Sequence, residues 1–100
     1  MLDVEAEHLE IVLKILAARA PECEVLAFGS RVSGKAVRTS DLDLALRGAA
    51  RLGVARIALL KEAFEESTLP FRVDLVDWHD ASAEFRAVIE GRNEVIRAPG

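Results

Sequence analysis

The chain has 100 residues, 51% of them hydrophobic and 30% charged, a composition typical of a globular protein rather than a disordered one. A formal net charge of −4 argues against a protein that binds nucleic acid through a general excess of positive charge. No apolar run approaches the ~20 residues of a membrane span, and the acidic N-terminus is unlike a signal peptide. Cys23 is the single cysteine, so an internal disulfide is excluded. We expect one domain, residues 1–100, in the cytoplasm.

The first half of the chain has the pattern of a helix followed by a strand. Residues 4–20 carry apolar side chains at helical spacing, which predicts an amphipathic helix. Residues 24–28 (EVLAF) form an apolar segment that Gly29 and Ser30 end, which indicates a short strand and a tight turn. Residues 31–40 are polar and basic, and we expect a loop there.

The next three elements are predicted to be a strand, a helix and a strand. Residues 41–47 (DLDLALR) alternate strictly between two sets of side chains, so one face of this strand carries acids and the other enters the core. Residues 50–67 form a second helical stretch. Residues 71–77 (FRVDLVD) form the third predicted strand.

The chain is predicted to end with a helix and a short strand. Asp80 or Ser82 can cap the helix, whose apolar residues are expected on one side: Phe85, Val88 and Ile89. Residues 94–98 (EVIRA) are predicted to be the final strand. This order of elements indicates a small α/β (α+β) domain, in which helices flank a mixed sheet of three to four strands.

Three aspartates lie on the predicted strands. Asp41 and Asp43 share one strand face, where their Cα atoms would be ~6.6 Å apart and their like charges would raise each other's pKa. A hard divalent cation between them removes this cost. Asp74 interrupts the third strand and joins the pair if the strands are neighbours. Three such carboxylates can hold two Mg²⁺ ions for phosphoryl transfer, although acids at strand ends are also often simply solvated.

A glycine-serine turn and a basic segment precede these acids. Gly29 allows a phosphate to approach the main chain closely, and Ser30 offers a hydroxyl that can donate to a phosphate oxygen. Arg31, Lys35 and Arg38 follow and can neutralise the charge of a triphosphate. The ordinary alternative is a solvated loop.

Together these segments resemble a known family. In the stretch GSRVSGKAVRTSDLDLAL, ten residues separate Gly29 and Ser30 from Asp41, Leu42 and Asp43. This spacing resembles the signature of the DNA polymerase beta-like nucleotidyltransferase superfamily. The later segment FRVDLVD is similar to that of its small members, the minimal nucleotidyltransferases.

The resemblance implies a function and a role for each residue. Asp41 and Asp43 would hold Mg²⁺, and Asp74 would complete the metal site or help to deprotonate the attacking hydroxyl. Gly29 and Ser30 would bind the nucleotide phosphates. The implied reaction transfers AMP from ATP to a hydroxyl acceptor and releases pyrophosphate.

The resemblance also implies a partner protein. Larger relatives carry an extra domain that holds the acceptor, and we expect a 100-residue chain to rely on another subunit instead. Minimal nucleotidyltransferases are typically encoded beside a helical HEPN protein, an RNase toxin whose tyrosine they adenylylate as a type VII-like antitoxin, which implies a hetero-oligomer. Two alternatives stay open: a non-catalytic antitoxin that masks its partner, and the catalytic subunit of a small-molecule, aminoglycoside-type nucleotidyltransferase.

Overall fold

The computed structural model describes residues 2–100. Its elements follow one another in this order along the chain: α1 (Ala6–Arg19), β1 (Glu24–Phe28), α2 (Ser30–Ser33), β2 (Leu42–Arg47), α3 (Val54–Glu65), β3 (Val73–Asp77), a 3₁₀ turn (Trp78–Asp80), α4 (Ala83–Gly91) and β4 (Glu94–Arg97). Each strand and each long helix that the sequence predicts is therefore present, with ends within a few residues of those expected. None of the helices in this described part of the chain is long and apolar enough to cross a membrane.

The segment predicted to be a loop begins instead with the one-turn helix α2. The backbone N–H groups of Val32 and Ser33 both donate to the carbonyl oxygen of Gly29, at 3.1 and 3.0 Å. Gly34 ends the turn in the left-handed conformation, with φ of 83°. A helix of four residues is too short to leave a periodic pattern, which is why the sequence did not reveal it.

The strands form one mixed sheet in the order β3-β2-β1-β4. β2 and β3 run parallel, whereas β1 is antiparallel to both β2 and β4. The predicted fold class is confirmed, and so is the expectation that the strand bearing Asp74 lies beside the strand bearing Asp43.

Helices pack on both faces of this sheet. The leucines of β2 are fully buried on the face covered by α1 and α3, as their alternation predicts: Leu42, Leu44 and Leu46. On the opposite face Ala45 is also buried, under Trp78 and Ile89. The second face of β2 is thus acidic only at its start and belongs to the core further along.

Helix α4 contacts the sheet through fewer apolar residues than predicted. Ile89 is fully buried and the Phe85 ring meets the Phe28 ring edge-on at 5.7 Å, but Val88 is 64% exposed. Phe85 and Ile89 are four residues apart, only about 40° around the helix, whereas Val88 lies about 100° from Ile89. The prediction that Val88 shares the buried side is therefore wrong.

Candidate active site

The turn between β1 and α2 lies directly against an acid of β2. Gly29 has φ of 79° and ψ of −156°, a backbone conformation that is essentially restricted to glycine. A Cβ built on Gly29 would overlap Oδ2 of Asp43 and lie 3.2 Å from its Cγ atom. Glycine is therefore required twice here, for the backbone conformation and for the space that the carboxylate occupies. Ser30 then begins α2, so its backbone N–H has no acceptor within that helix.

The parallel pairing of β2 and β3 brings two aspartates side by side. Asp43 and Asp74 are register partners, and Asp41 lies just before β2 on the same side of the alternating pattern. Asp43 is half-buried, whereas Asp41 and Asp74 are exposed. Burial raises the pKa of Asp43, and the negative charges of Asp74 and then Asp41 raise it further. The structure therefore concentrates three carboxylates at the end of the sheet where the glycine turn lies.

This set of donors fits a hard divalent cation. Carboxylate oxygens are the ligands that Mg²⁺ prefers, and the raised pKa of Asp43 reflects an excess of negative charge that a cation neutralises. Within residues 2–100, the oxygens of the three aspartates do not all come within 4.8 Å of one another. Such closeness is not needed, because Mg²⁺ keeps several water ligands and is held by one or two carboxylates together with substrate phosphates.

A second group of potential ligands lies at the start of α1. Glu5, Glu7 and His8 place ligand atoms within 4.8 Å of one another. The two glutamates are exposed, and this group is far along the chain from the glycine turn. We assign it no function.

Arg31 has a different position from the one predicted. Its side chain is only 7% exposed and its guanidinium donates to three backbone carbonyl oxygens: Nε to Ser40 at 2.9 Å, Nη1 to Asp3 at 2.8 Å and Nη2 to Arg38 at 3.1 Å. The guanidinium also lies over the ring of Phe71, 4.3 Å from its centroid. These contacts do not fit the predicted role of Arg31 in nucleotide binding. They show instead that Arg31 holds the loop that leads into Asp41.

The other basic residues near the turn are accessible. Lys35 and Arg38 are exposed, and the backbone N–H of Lys35 donates to the carbonyl of Ser30 at 3.2 Å, which keeps this residue beside the turn. The structure adds Arg92, whose Nη1 lies 3.4 Å from the carbonyl oxygen of Ser33. Sequence reasoning missed Arg92 because 59 residues separate the two partners and no local pattern marks the contact.

A cleft of about 730 Å³ opens beside the acids. Asp41 and Asp74 contribute to its wall, and Lys61, Glu65 and Arg72 add further charged groups. The side of the acids that faces this cleft is therefore open to a second molecule.

The fold and this site define a nucleotidyltransferase. Residues 12–98 match the family described as polymerase beta, nucleotidyltransferase, and the chain belongs to that family. It is 51% identical over 96 residues to the probable protein adenylyltransferase MntA of Haemophilus influenzae, in an alignment that covers 96% of this chain and 84% of that protein.

Solved structures give the same result for the fold. A chain of a toxin-antitoxin crystal structure with AMP-PNP has a TM-score of 0.77 and 26% identity, over 90% of this chain and 73% of that one. A chain of the complex of a tri-AMPylated Shewanella oneidensis HEPN toxin with its MNT antitoxin has a TM-score of 0.71, over 92% of this chain and 71% of that one. Its identity is 21%, so this second likeness concerns the fold alone.

Proposed function

We propose that this protein transfers AMP from ATP to a hydroxyl group of a partner protein, with Mg²⁺ as cofactor, and thereby acts as an antitoxin. The observation that carries the proposal is the contact of the Gly29 turn with Asp43, together with the pairing of Asp43 and Asp74. This contact supports a phosphate site and a cation site that lie next to each other. The high identity to a probable protein adenylyltransferase supports a protein as the acceptor.

In this proposal the three aspartates have two roles, which are to bind the metal ion and to accept a proton. Asp41 and Asp43 would hold Mg²⁺, which when bound neutralises charge on the phosphates and on the leaving group. Asp74 completes this set, and as an exposed carboxylate on the wall of the cleft it takes up the proton of the attacking hydroxyl. Transfer of this kind depends mainly on positioning and electrostatic stabilisation, so no separate nucleophile on the enzyme is required.

The reaction itself is a single displacement at phosphorus. The acceptor oxygen forms a bond to the α-phosphorus of ATP while the bond from that phosphorus to the oxygen bridging it to the β-phosphorus breaks. Pyrophosphate leaves with the bridging oxygen, and the proton of the hydroxyl passes to the carboxylate and then to water. The products are an adenylylated acceptor, pyrophosphate and one proton.

The residues around the turn would bind the triphosphate. Gly29 lets a phosphate reach the main chain, and Ser30 offers its backbone N–H and its hydroxyl. Lys35 and Arg38 supply positive charge from the loop, and Arg92, whose Nη1 contacts the carbonyl oxygen of Ser33, supplies it beside the end of α2. We leave Arg31 out of this set because its donors are engaged with backbone carbonyls.

For the acceptor we propose a tyrosine of a helical HEPN-type RNase toxin, with which the chain forms a hetero-oligomer in the cytoplasm. The structural relative with AMP-PNP comes from a toxin-antitoxin complex, which supports both the nucleotide and this kind of partner. Two competing functions make different predictions. A binding antitoxin masks its partner without chemistry, and a small-molecule nucleotidyltransferase labels a low-molecular-weight acceptor.

One labelling experiment separates these functions. The chain is incubated with ATP labelled at the α-phosphate, Mg²⁺ and the protein encoded beside it, and we expect label on a tyrosine of that protein. The double variant Asp41→Asn/Asp43→Asn should transfer none, whereas the control Glu22→Gln, which removes an exposed ion pair with Arg56 and lies on none of the clefts described, should transfer normally. Toxin neutralisation by the double variant at the wild-type level would contradict the enzymatic account, and label on a small molecule alone would contradict the choice of acceptor.

A further inference from the structure

Strand β3, which carries Asp74, pairs with β2 along one edge and leaves its other edge unpaired within residues 2–100. In this described part of the chain it is one of the two edge strands of the sheet. The carbonyl oxygen of Arg72 accepts a bond from the backbone N–H of Leu42 at 2.9 Å, so Arg72 and Asp74 direct their backbone groups towards β2. Since successive residues of a strand direct these groups to opposite sides, those of Val73 and Leu75 face outwards.

A groove follows this outer edge. A cleft of about 610 Å³ lies over Leu75 and Val76, between α3 on one side and the beginning of α4 on the other. Its walls are mostly apolar, and we call it the edge groove, with these apolar residues on its sides: Val54, Ile57, Ala58 and Phe85. Val54 is 77% exposed, a large exposure for a valine.

The edge groove leads to the acids. Lys61 contributes to the edge groove and also to the cleft that Asp41 and Asp74 help to form. The two cavities are therefore neighbours that share Lys61 on their walls. A molecule lying along β3 reaches the acids at the beginning of this strand without leaving the surface of the protein.

We propose that the edge groove binds an extended segment of the acceptor protein, which adds a strand to β3 and brings its hydroxyl side chain to Asp74. Outward backbone groups between two apolar walls are the features by which sheets bind extended peptides. About four residues, at about 3.3 Å each, cover β3 from Asp77 to Asp74. The inference rests on the proposed function, because it names the form in which the acceptor reaches the same site.

The continuity of the groove with the acids favours this occupant over a second copy of the chain. If two copies of the chain paired through β3, the second copy would block access to Asp74, and an acceptor could not reach the acids. A small acceptor molecule bound at the acids would leave the part of the edge groove along Leu75, Val76 and Asp77 empty.

The first test uses a matched pair of substitutions on α3. Ala58 lies on the wall of the edge groove, whereas Ala55 is equally exposed on the same helix but lies on none of the clefts described. We expect Ala58→Arg to raise the KM for the acceptor protein at least tenfold while AMP-PNP binding and the melting temperature stay unchanged. Ala55→Arg should behave like the wild type. An Ala58→Arg variant with a wild-type KM for the acceptor would overturn the proposal.

The second test does not need catalysis. Amide hydrogen exchange is followed at Val73 and Leu75, with the amide of Asp74 as an internal control, with and without the protein encoded beside the chain. We expect slower exchange at Val73 and Leu75 on addition of that protein, and no change at Asp74. Unchanged exchange would overturn the proposal, and so would protection that appears in the chain alone as its concentration rises, because a second copy would then occupy the edge.

Tyrosine labelling tests the proposed function and amide exchange tests the edge groove, so the two proposals can fail separately. Wild-type protein that labels no tyrosine contradicts the proposed function, and the exchange experiment still decides whether the edge groove binds the partner. Labelling without protection at Leu75 leaves the proposed function standing and overturns the groove.

Discussion

The turn after β1 touches the acid of β2: a Cβ on Gly29 would overlap Oδ2 of Asp43. Antiparallel pairing produces this contact, because Phe28 at the end of β1 is the register partner of Asp43. Gly29, which follows Phe28, is thereby held beside the carboxylate of Asp43. A phosphate bound at this turn would lie next to a cation bound at the acids, which is the arrangement that nucleotidyl transfer requires.

Substituting Gly29 should greatly slow AMP transfer, because a side chain there would displace Asp43. Gly29→Ala and the control Gly53→Ala both place a side chain at positive φ, 79° and 91°, and each should lower the free energy of unfolding by about 1–3 kcal/mol. Within the described residues no atom lies within 4 Å of a Cβ on Gly53, so only Gly29→Ala displaces Asp43. We expect a loss of about 100-fold in the rate of AMP transfer for Gly29→Ala alone, measured by pyrophosphate release. Equal rates in the two variants would contradict the role of the contact.

The raised pKa of Asp43 predicts that this residue destabilises the metal-free protein at neutral pH. Its charged form is disfavoured in the fold by burial and by the charges of Asp74 and Asp41, so stability falls as the pH rises through the raised pKa. In EDTA, Asp43→Asn should therefore melt at a higher temperature than the wild type at pH 7, and the difference should shrink towards pH 4. Addition of Mg²⁺ should raise the melting temperature of the wild type only. A lower melting temperature for the metal-free variant at pH 7 would contradict this account.

Arg31 is expected to act on stability rather than on nucleotide binding. Arg31→Lys keeps the charge but replaces three separate donor nitrogens by a single ammonium nitrogen, which cannot reach all three carbonyl oxygens. It should lower the free energy of unfolding by about 2–4 kcal/mol. The exposed Arg38 provides the comparison, because Arg38→Ala should leave urea denaturation unchanged and raise the KM for ATP. An Arg31→Lys variant as stable as the wild type would contradict the structural role of the guanidinium.

Asp77 should be structural although it lies on the same strand as Asp74. It is 6% exposed, and its carboxylate accepts from the backbone N–H of Leu52 at 2.8 Å and from that of His79 at 3.1 Å. Asp77→Ala leaves both donors without this acceptor and should cost about 2–4 kcal/mol in urea denaturation. Asp80→Ala, which breaks one exposed ion pair, should cost less than about 1 kcal/mol. Similar costs for the two variants would contradict the assignment.

The sequence predicted the parts of the site that depend on strand periodicity. Leu42 and Asp43 belong to a strict alternation, so the buried and the acidic face of β2 followed directly from the order of residues. The same alternation predicted that Asp74 lies on the face of β3 opposite Val73 and Leu75. Only the pairing of the two strands remained open, and the parallel register with Asp43 and Asp74 as partners completed it.

Other features could not be predicted because they depend on contacts between distant segments. Arg31 looked like a phosphate ligand in a basic loop, but the carbonyls of Asp3 and Ser40 surround it only after the chain has folded. Arg92 reaches α2 from the far end of the chain, and the edge groove exists only because β3 lies at an edge of the sheet. No local pattern carries such information.

The register of β2 and β3 also determines where this protein can change in length. One residue inserted into either strand would turn every later side chain of that strand to the opposite face. An insertion before Leu44 in β2 would turn Leu44 out of the core, and an insertion before Asp74 in β3 would move Asp74 away from its register partner Asp43. Insertions that preserve both the fold and the site are therefore expected in connections whose backbone does not hold the site, such as residues 66–70.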